Sequence, residues 1–292
     1  MTSRRSFLKT SAVLSAGMLV APKLFAYDKK YIGLQLYTVR DAMAKDAVGT
    51  IAKVAQLGYT SVEIGYNNGT FYGLDPKTLK ENLTKNGLIA PSCHYMLGEA
   101  KFNGESPKGT ILNGWDKAVD DAAAAGLKYM VCAYLFDSER GNLDHYKKVA
   151  EYFNKAAETC KKAGIQFCYH NHDFEFIQQD GKYPYETILA NTDKNLVKME
   201  MDIYWITKAK QDPIALFNEN PGRFPLWHVK DMDNTDKHMF TEVGNGIIDF
   251  KKIFPHANKA GLKYFFVEQD VCPGDPFNSI TQSITYIKKN LV

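Results

Sequence analysis

The chain has 292 residues, with 36 Lys and Arg against 33 Asp and Glu, so its formal net charge is +3. Hydrophobic residues make up 45% of the chain and charged residues 24%, which are ordinary values for a globular protein. This composition excludes disordered, collagen-like and low-complexity proteins. The length fits either two domains or one large α/β barrel.

The first 26 residues differ from the rest of the chain. Arg4 and Arg5 stand in a basic start, an apolar run follows over Ala12–Val20, and Ala26 provides a small residue at a plausible cut site. These features are typical of an export signal, and the paired arginines resemble the twin-arginine type. The apolar run is too short for a permanent membrane anchor.

Removing this segment also changes the net charge. Its four basic residues lower the charge from +3 to −1 when they are cut away, so the basicity implies no nucleic-acid partner. We therefore predict an export signal over residues 1–26 and a periplasmic mature domain over residues 27–292.

Eight strand-like runs alternate with helix-like segments along the mature chain. The runs begin near Tyr31, Thr60, Ala90, Lys128, Ile165, Leu196, Pro225 and Lys263. Five of the helices are predicted over 41–57, 76–86, 115–125, 144–163 and 250–260, each followed by a glycine. This punctuation is typical of parallel βαβ units. Eight such units predict a single α/β domain, a (β/α)8 TIM barrel.

Polar residues gather at the ends of the last four predicted strands. In a TIM barrel alternate strand residues face the lumen, and active sites lie at the carboxyl ends of the strands. His170, Asp202, His228 and Glu268 share this position, with His172 beside His170. Such nitrogen and oxygen donors suit a divalent metal such as Mn, Zn, Co or Mg. We predict a metal site formed by these four residues, with His172 in reserve for His170.

Other side chains are predicted at the same end of the barrel. Glu63, His94 and Lys230 have the lumen-facing parity, and Tyr37 and Trp205 lie near strand ends, where their rings could stack on a sugar. We expect all five to contact substrate. A salt bridge to Glu268 or Asp202 is the alternative for Lys230, and orientation of a ligand is the alternative for Glu63. Glu200 lies one layer deeper and is expected to pair with Lys198 or Lys230.

Seven motifs follow one another in the order GLQLYTVRD, SVEIG, YHNHDFEF, MEMDIYW, HVKDMD, EVGNGIIDF and FFVEQD. They resemble the xylose isomerase-like barrel superfamily of sugar phosphate isomerases and epimerases, in an exported branch with a twin-arginine signal. The resemblance implies a metal held by Glu, Asp, His and Glu from strands five to eight. Asp202, His228 and Glu268 match the last three, whereas His170 occupies the first place. This departure affects the two-glutamate proton transfer that the resemblance implies.

The resemblance and the residues together predict an enzyme, a metal-dependent sugar isomerase or epimerase acting on a small-molecule carbohydrate or polyol-derived ketone. A metal that binds a carbonyl and its neighbouring hydroxyl favours loss of a proton from the adjacent carbon, through an enediolate. Glu268 is predicted to take the proton, and His170 or His172 is predicted to act as ligand or acid. A lyase that eliminates from a 3-keto-glycoside begins with the same step and is the alternative.

Two further classes of protein are alternatives to a sugar isomerase, epimerase or lyase. A DNA-repair endonuclease of the same superfamily would need more His and Glu ligands and a basic face, whereas the chain has seven His, and export removes it from DNA. A non-catalytic carbohydrate-binding barrel is kept open by the histidine in the first ligand place.

Overall fold

Eight parallel strands form a closed barrel in the computed structural model, which describes Asp28 and residues 31–292. The strands are β1 Gly33–Gln35, β2 Ser61–Gly65, β3 Ile89–Tyr95, β4 Tyr129–Cys132, β5 Gln166–His170, β6 Val197–Asp202, β7 Leu226–Val229 and β10 Tyr264–Val267. Strand β1 pairs with both β2 and β10, which closes the barrel. A hairpin of β8 Asp231–Met232 and β9 Phe240–Thr241 follows β7. The predicted TIM barrel is confirmed, and the predicted export signal lies outside the described residues.

Helices connect the strands around the barrel. They are α1 Arg40–Lys45, α2 Ala47–Gln56, α3 Pro76–Lys85, α4 Trp115–Ala125, α5 Leu143–Lys162, α6 Pro184–Asn191, α7 Ile203–Lys208, α8 Pro213–Glu219, α9 Phe250–Ile253, α10 Ala257–Ala260 and α11 Pro276–Asn290. Short 3-10 helices lie at Leu36–Val39, Asp137–Glu139, Phe174–Phe176 and Phe254–His256. Within the described part of the chain, none of these helices is long and apolar enough to cross a membrane.

Two of the predicted helices are interrupted. The segment 41–57 forms two helices, because Asp46 leaves helical geometry with φ −153° and its carboxylate accepts a hydrogen bond from the Gly49 N–H at 2.9 Å. The segment 250–260 contains the 3-10 turn Phe254–His256. Pro255 lies in that turn and has no backbone N–H to donate, so a regular helix cannot continue through it.

The barrel lumen is closed by a small apolar plug below the mouth. Its members are Val131, Cys168, Leu226 and Phe266. Three of them precede a polar residue by two positions, since Cys168 precedes His170, Leu226 precedes His228 and Phe266 precedes Glu268. Successive inward positions on a strand are two residues apart. The plug therefore forms the floor on which the polar side chains stand.

One glycine after a helix is required by a close backbone approach as well as by its conformation. Gly261 has φ +85°, and a Cβ there would lie 2.9 Å from Gly222 Cα, whereas Gly164 has φ +73° with no atom within 4 Å of such a Cβ. Both positions disfavour a side chain because of the left-handed conformation. Of these two glycines, only Gly261 would also bring a Cβ against backbone atoms, which cannot rotate away as a side chain can.

We predict that Gly261→Ala destabilises the barrel more than Gly164→Ala. The control variant carries the left-handed penalty alone, about 1–2 kcal/mol, and the Gly222 contact adds to it in Gly261→Ala. Urea unfolding followed by circular dichroism measures both free energies. Equal losses in the two variants would contradict a steric role for Gly222.

Candidate active site

Three carboxylates surround one buried ammonium at the barrel mouth. Lys230 Nζ lies 3.0 Å from Asp202 Oδ2, 2.7 Å from Glu268 Oε2 and 2.8 Å from Asp270 Oδ2. Burial disfavours the charge of Lys230, but the three carboxylates raise its pKa well above the usual value. Burial likewise opposes ionisation of Glu268, but Lys230 and His228 hold the pKa of that carboxyl well below its usual range. This outer cluster is therefore strongly charged.

A second set of side chains lies deeper in the lumen. His94 Nε2 is 3.0 Å from Glu63 Oε2 and 2.7 Å from Glu200 Oε2. Burial opposes protonation of His94, but the two carboxylates raise its pKa to about 10. Burial and the charge of Glu63 raise the pKa of Glu200 to about 7. His94 thus joins two carboxylates that would otherwise repel each other.

Glu63 is held by side chains from the two neighbouring strands. Gln35 Nε2 donates to Glu63 Oε2 at 2.8 Å, and the Ser92 hydroxyl donates to Glu63 Oε1. Burial disfavours its charge, but His94 and His228 lower the pKa of Glu63 below its usual value. Glu63 is therefore an ionised carboxylate in a fixed orientation.

His170 and His228 connect the inner and outer clusters through their two ring nitrogens. His170 Nδ1 lies 3.0 Å from Glu200 Oε2, and its Nε2 lies 3.6 Å from Asp202 Oδ2. His228 Nε2 lies 2.7 Å from Glu63 Oε2, and its Nδ1 lies 2.9 Å from Glu268 Oε2. A histidine ligand is commonly oriented by a carboxylate on its other nitrogen. The inner carboxylates direct one nitrogen of each ring toward the outer cluster in this way.

Three of the outward donors have the chemistry and spacing of a metal site, because Asp202, His228 and Glu268 each offer a ligand atom within 4.8 Å of the others. The separations from Asp202 Oδ2 are 3.6 Å to His170 Nε2 and 4.0 Å to His228 Nδ1, and Glu268 Oε2 is 2.9 Å from His228 Nδ1. Ligands of a tetrahedral ion, each about 2.1 Å from it, are roughly 3.4 Å apart. Asp202, His228 and Glu268 could therefore hold a divalent metal, while His170 also belongs to a second candidate set with His94, Glu200 and His228.

The surroundings of Asp202 Oδ2 are a separate indication of a cation site. Its Oδ2 accepts no well-directed hydrogen bond from the residues that the structure describes. Lys230 Nζ is only 3.0 Å away, so the ammonium attracts this oxygen without being aligned with it, and direction decides whether a hydrogen bond forms. Burial raises the pKa of Asp202, and its Oδ2 is a buried oxygen that retains a lone pair for a cation.

Metal binding would compete with a proton on His228. Burial opposes the charged imidazole, but Glu200 and Glu268 raise the pKa of His228 well above its usual value. Histidine binds metals only through an unprotonated nitrogen. A metal at the outer cluster would therefore displace a proton from this ring.

His172 and Trp205 line the mouth above the donors. The His172 ring centroid is 5.0 Å from that of His170 and 5.2 Å from that of Trp205. Burial and Lys230 lower the pKa of His172 well below its usual value, so the ring is neutral. Its Nδ1 has no hydrogen-bond partner in the described region. Trp205 is fixed at the start of α7, where its backbone N–H donates to Asp202 Oδ1 at 3.1 Å.

Tyr37 lies further out, at the rim. Its side chain is 46% exposed, and the Arg40 guanidinium carbon lies 4.4 Å from its ring centroid. Arg40 Nη1 also donates to the carbonyl of Asp270 at 2.9 Å. Tyr37 is therefore held next to the mouth, whereas the other nine predicted residues lie in or directly above the two clusters.

Sequence reasoning missed several residues of the site. Glu200 pairs with His94 and His170 rather than with either predicted lysine. Lys198 donates to the Gly222 carbonyl at 3.1 Å, and Lys230 pairs with the three outer carboxylates. Asp270, Gln35 and Ser92 were not predicted as site residues. Strand parity could have found them, since each is two residues from an identified or inward-facing position.

Residues 51–289 match the model of the family described as xylose isomerase-like TIM barrel. Residues 1–21 match the twin-arginine translocation pathway signal sequence, which indicates export. An inosose dehydratase from Serratia proteamaculans (strain 568) is 23% identical over 270 residues, which cover 82% of this chain and 88% of that protein.

Two solved structures are also similar. A sugar phosphate isomerase/epimerase from Parabacteroides distasonis ATCC 8503 is 29% identical, with a TM-score of 0.75 over 90% of this chain and 95% of that chain. An IOLI protein with a bound zinc atom has a TM-score of 0.65 at 13% identity, over 89% of this chain and 96% of that chain. The second likeness shows the fold alone. The barrel topology and the family match together establish that this chain belongs to the xylose isomerase-like TIM barrel family.

Proposed function

We propose that this protein is a metal-dependent carbohydrate lyase that eliminates an oxygen substituent from the carbon β to the carbonyl of a keto-sugar, keto-glycoside or keto-cyclitol. The observation that carries the proposal is the pairing of Glu268 on one side of the outer cluster with histidines, His170 and His172, on the fifth strand's side. Elimination needs a base and a group that handles the proton of the leaving oxygen. Epimerisation by two carboxylates needs a carboxylate on each face, and the fifth strand, Gln166–His170, offers no carboxylate.

The relatives support the same chemistry. The Serratia proteamaculans relative is named an inosose dehydratase, and dehydration of a ketone is an elimination of this kind. The zinc in the IOLI protein supports a metal here, held by His170, Asp202, His228 and Glu268. Bound there, a divalent ion supplies positive charge that stabilises a developing oxyanion.

The residues of the chain handle the proton. Glu268 is ionised, because Lys230 and His228 lower its pKa, and it accepts the proton from the carbon next to the carbonyl. The electron pair left on that carbon forms the double bond as the β oxygen departs with its own bonding pair. The departing oxygen receives the proton from Glu268 directly or through neutral His172. Lys230 stays cationic throughout and stabilises negative charge beside it.

An isomerase or epimerase is the second candidate. The Parabacteroides distasonis structure is of a sugar phosphate isomerase/epimerase, and the first proton abstraction by Glu268 would be the same. Return of the proton to the opposite face gives epimerisation, and return to the neighbouring carbon gives isomerisation.

We also propose that the substrate is met in the periplasm and carries no phosphate. The twin-arginine signal match at residues 1–21 supports export, and sugar phosphates are chiefly intracellular compounds. The cut after Ala26 remains a prediction.

The reaction is tested with metal-loaded mature protein in deuterated water. An inosose, a ketohexose and a methyl 3-keto-glucoside are incubated separately and followed by NMR. A lyase releases water or methanol and forms an unsaturated ketone or its tautomer. Deuterium at a retained carbon, without release of a leaving group, would favour the epimerase or isomerase instead. Absence of both products from every ketone would contradict an enzyme of either kind.

We expect Glu268→Gln to lower kcat by about 10²–10⁴-fold, the usual contribution of a general base, because the amide cannot accept the proton. His256→Gln, at a partly exposed histidine outside both clusters, is the control and keeps full activity. If Glu268→Gln stays fully active, Glu268 is not the base, and His172→Gln then identifies whether the neighbouring histidine is.

We expect Asp202→Ala, His228→Ala and His170→Ala each to lose bound metal, since each removes one outward donor. His172→Ala and His256→Ala retain it. Metal content after dialysis, measured by plasma mass spectrometry on folded protein, gives the result. Loss of metal in His172→Ala with retention in His170→Ala would exchange the roles of these two histidines.

We expect Glu200→Gln to weaken metal binding by about 10–100-fold, the usual effect of changing a group that orients a ligand. The amide no longer attracts His170 Nδ1 and His94 Nε2 as an anion does. Competition with a chromophoric chelator measures the affinity without any turnover, and exposed Glu158→Gln is the matched control. Equal affinities in the two variants would contradict the orienting role.

A further inference from the structure

Six aromatic rings form a continuous arc along one side of the mouth. In order they are Phe240, Trp205, His172, Tyr134, Phe136 and Phe102. Successive ring centroids are 5.7, 5.2, 4.8, 5.1 and 5.2 Å apart. The rings come from the segments that follow five consecutive barrel strands, β3 to β7. This aromatic arc is therefore assembled from separate loops rather than from one local sequence.

The inner end of the arc meets the candidate active site. Lys230 Nζ lies 5.6 Å from the ring centroid of Trp205 and 5.5 Å from that of Phe240, and the His172 ring is 5.0 Å from that of His170. The outer end is open, since Phe102 is 51% exposed. The arc thus leads from the proposed metal donors to solvent.

A buried carboxylate that the proposed reaction does not use fixes the outer half. Glu139 is fully buried. Its Oε1 accepts from the backbone N–H groups of Gly98, Glu99 and Ala100 at 3.0, 2.8 and 3.0 Å, and its Oε2 accepts from that of Phe136 at 2.9 Å. Four hydrogen bonds compensate the burial of this group. Glu139 therefore ties the loop that carries Phe102 to the loop that carries Phe136.

Arg140 braces the middle of the arc. Its guanidinium carbon lies 3.5 Å from the ring centroid of Phe174 and 4.8 Å from that of Tyr134. Its Nε donates to the Leu135 carbonyl at 2.6 Å. Phe174 in turn stacks on His172, with the ring planes 9° apart. Rings held in place before binding lose less freedom when a ligand arrives.

Two nitrogens in the arc are left for a ligand. His172 Nδ1 and Trp205 Nε1 are buried and have no hydrogen-bond partner among the described residues. A ligand that suits the arc has a flat apolar face for the rings and polar edges for these nitrogens. A sugar ring has both, and an aryl group joined through an oxygen has the face and one polar atom.

We propose that the aromatic arc binds the leaving part of a glycoside, a second ring joined through the oxygen that is expelled. This inference rests on the proposed lyase function and names its substrate class as keto-glycosides with a ring-shaped aglycone. A single sugar ring at the donors would leave the outer rings, Phe136 and Phe102, without a role. The shared chemistry of the aglycone is a flat apolar face, supplied by a sugar or by an aryl group.

The test uses glycosides that lack a ketone and cannot react. Methyl β-glucoside, phenyl β-glucoside and cellobiose are titrated into the full mature protein by calorimetry. We expect phenyl β-glucoside or cellobiose to bind more tightly than methyl β-glucoside, and the tighter of the two identifies the aglycone as aryl or sugar. Phe102→Ala and Phe136→Ala each reduce this advantage by about 2–10-fold, the usual range for one aromatic contact. Both variants leave binding of methyl β-glucoside unchanged.

Leu112→Ala is the matched control, because Leu112 lies on the same loop as Phe102, is 41% exposed and is not part of the arc. We expect Leu112→Ala to bind phenyl β-glucoside or cellobiose more tightly than methyl β-glucoside to the same extent as the wild-type protein. Equal binding of the three glycosides by the wild-type protein, no binding of any of them, or the same loss in Leu112→Ala would overturn the inference. The measurement needs no turnover. If the protein distinguishes these glycosides but converts no ketone, the aromatic arc binds an aglycone and the proposed lyase function is wrong.

Discussion

Repulsion among five carboxylates at the barrel mouth is the constraint on which the site depends. Glu63, Glu200, Asp202, Glu268 and Asp270 converge there, and four of them are almost fully buried. Such groups are costly to bury unless cations and hydrogen bonds compensate them. Lys230 forms ion pairs with the three outer carboxylates, and His94 contacts both inner carboxylates, Glu63 and Glu200. The imidazoles of His170 and His228 link the two sets, so a change at one charge alters the balance at the others.

His170, at the end of β5, affects the balance of charge between these carboxylates and their cations. A carboxylate at position 170 would stand beside Glu200 and Asp202, because His170 now contacts both, and it would add a sixth negative charge. Imidazole instead adds no negative charge: its Nδ1 lies 3.0 Å from Glu200 Oε2, and its other nitrogen faces Asp202. A histidine rather than a glutamate at position 170 is therefore compatible with the buried carboxylate of Glu200. Together they leave Glu268 as the one carboxylate at the place where we propose the base, without a second carboxylate facing it from the fifth strand.

Strand parity predicted which side chains enter the mouth, because the inward positions recur every two residues regardless of distant contacts. It placed Asp202, His228 and Glu268 together. Parity does not give depth or partners: Lys198 shares the parity of Glu200, but it bonds a carbonyl at the other end of the strand. The break at Asp46 depends on one local side-chain cap. The anchor at Glu139 depends on loops about 40 residues apart in sequence, which no local pattern reports.

Glu139 and Glu200 are both buried, but different groups compensate their burial. The kind of group decides whether the glutamate has a structural or a chemical role. Glu139 is satisfied by four backbone N–H groups, which cannot release a proton or turn away without unfolding the loops. Glu200 is contacted by the imidazoles of His94, His170 and His228, which can exchange protons and can present their other nitrogens to a cation. The first arrangement is permanent and suits a surface that selects a ligand by shape. The second can change its charge during a reaction. In the proposed function, ligand selection would therefore lie in the loops and proton transfer at the strand ends.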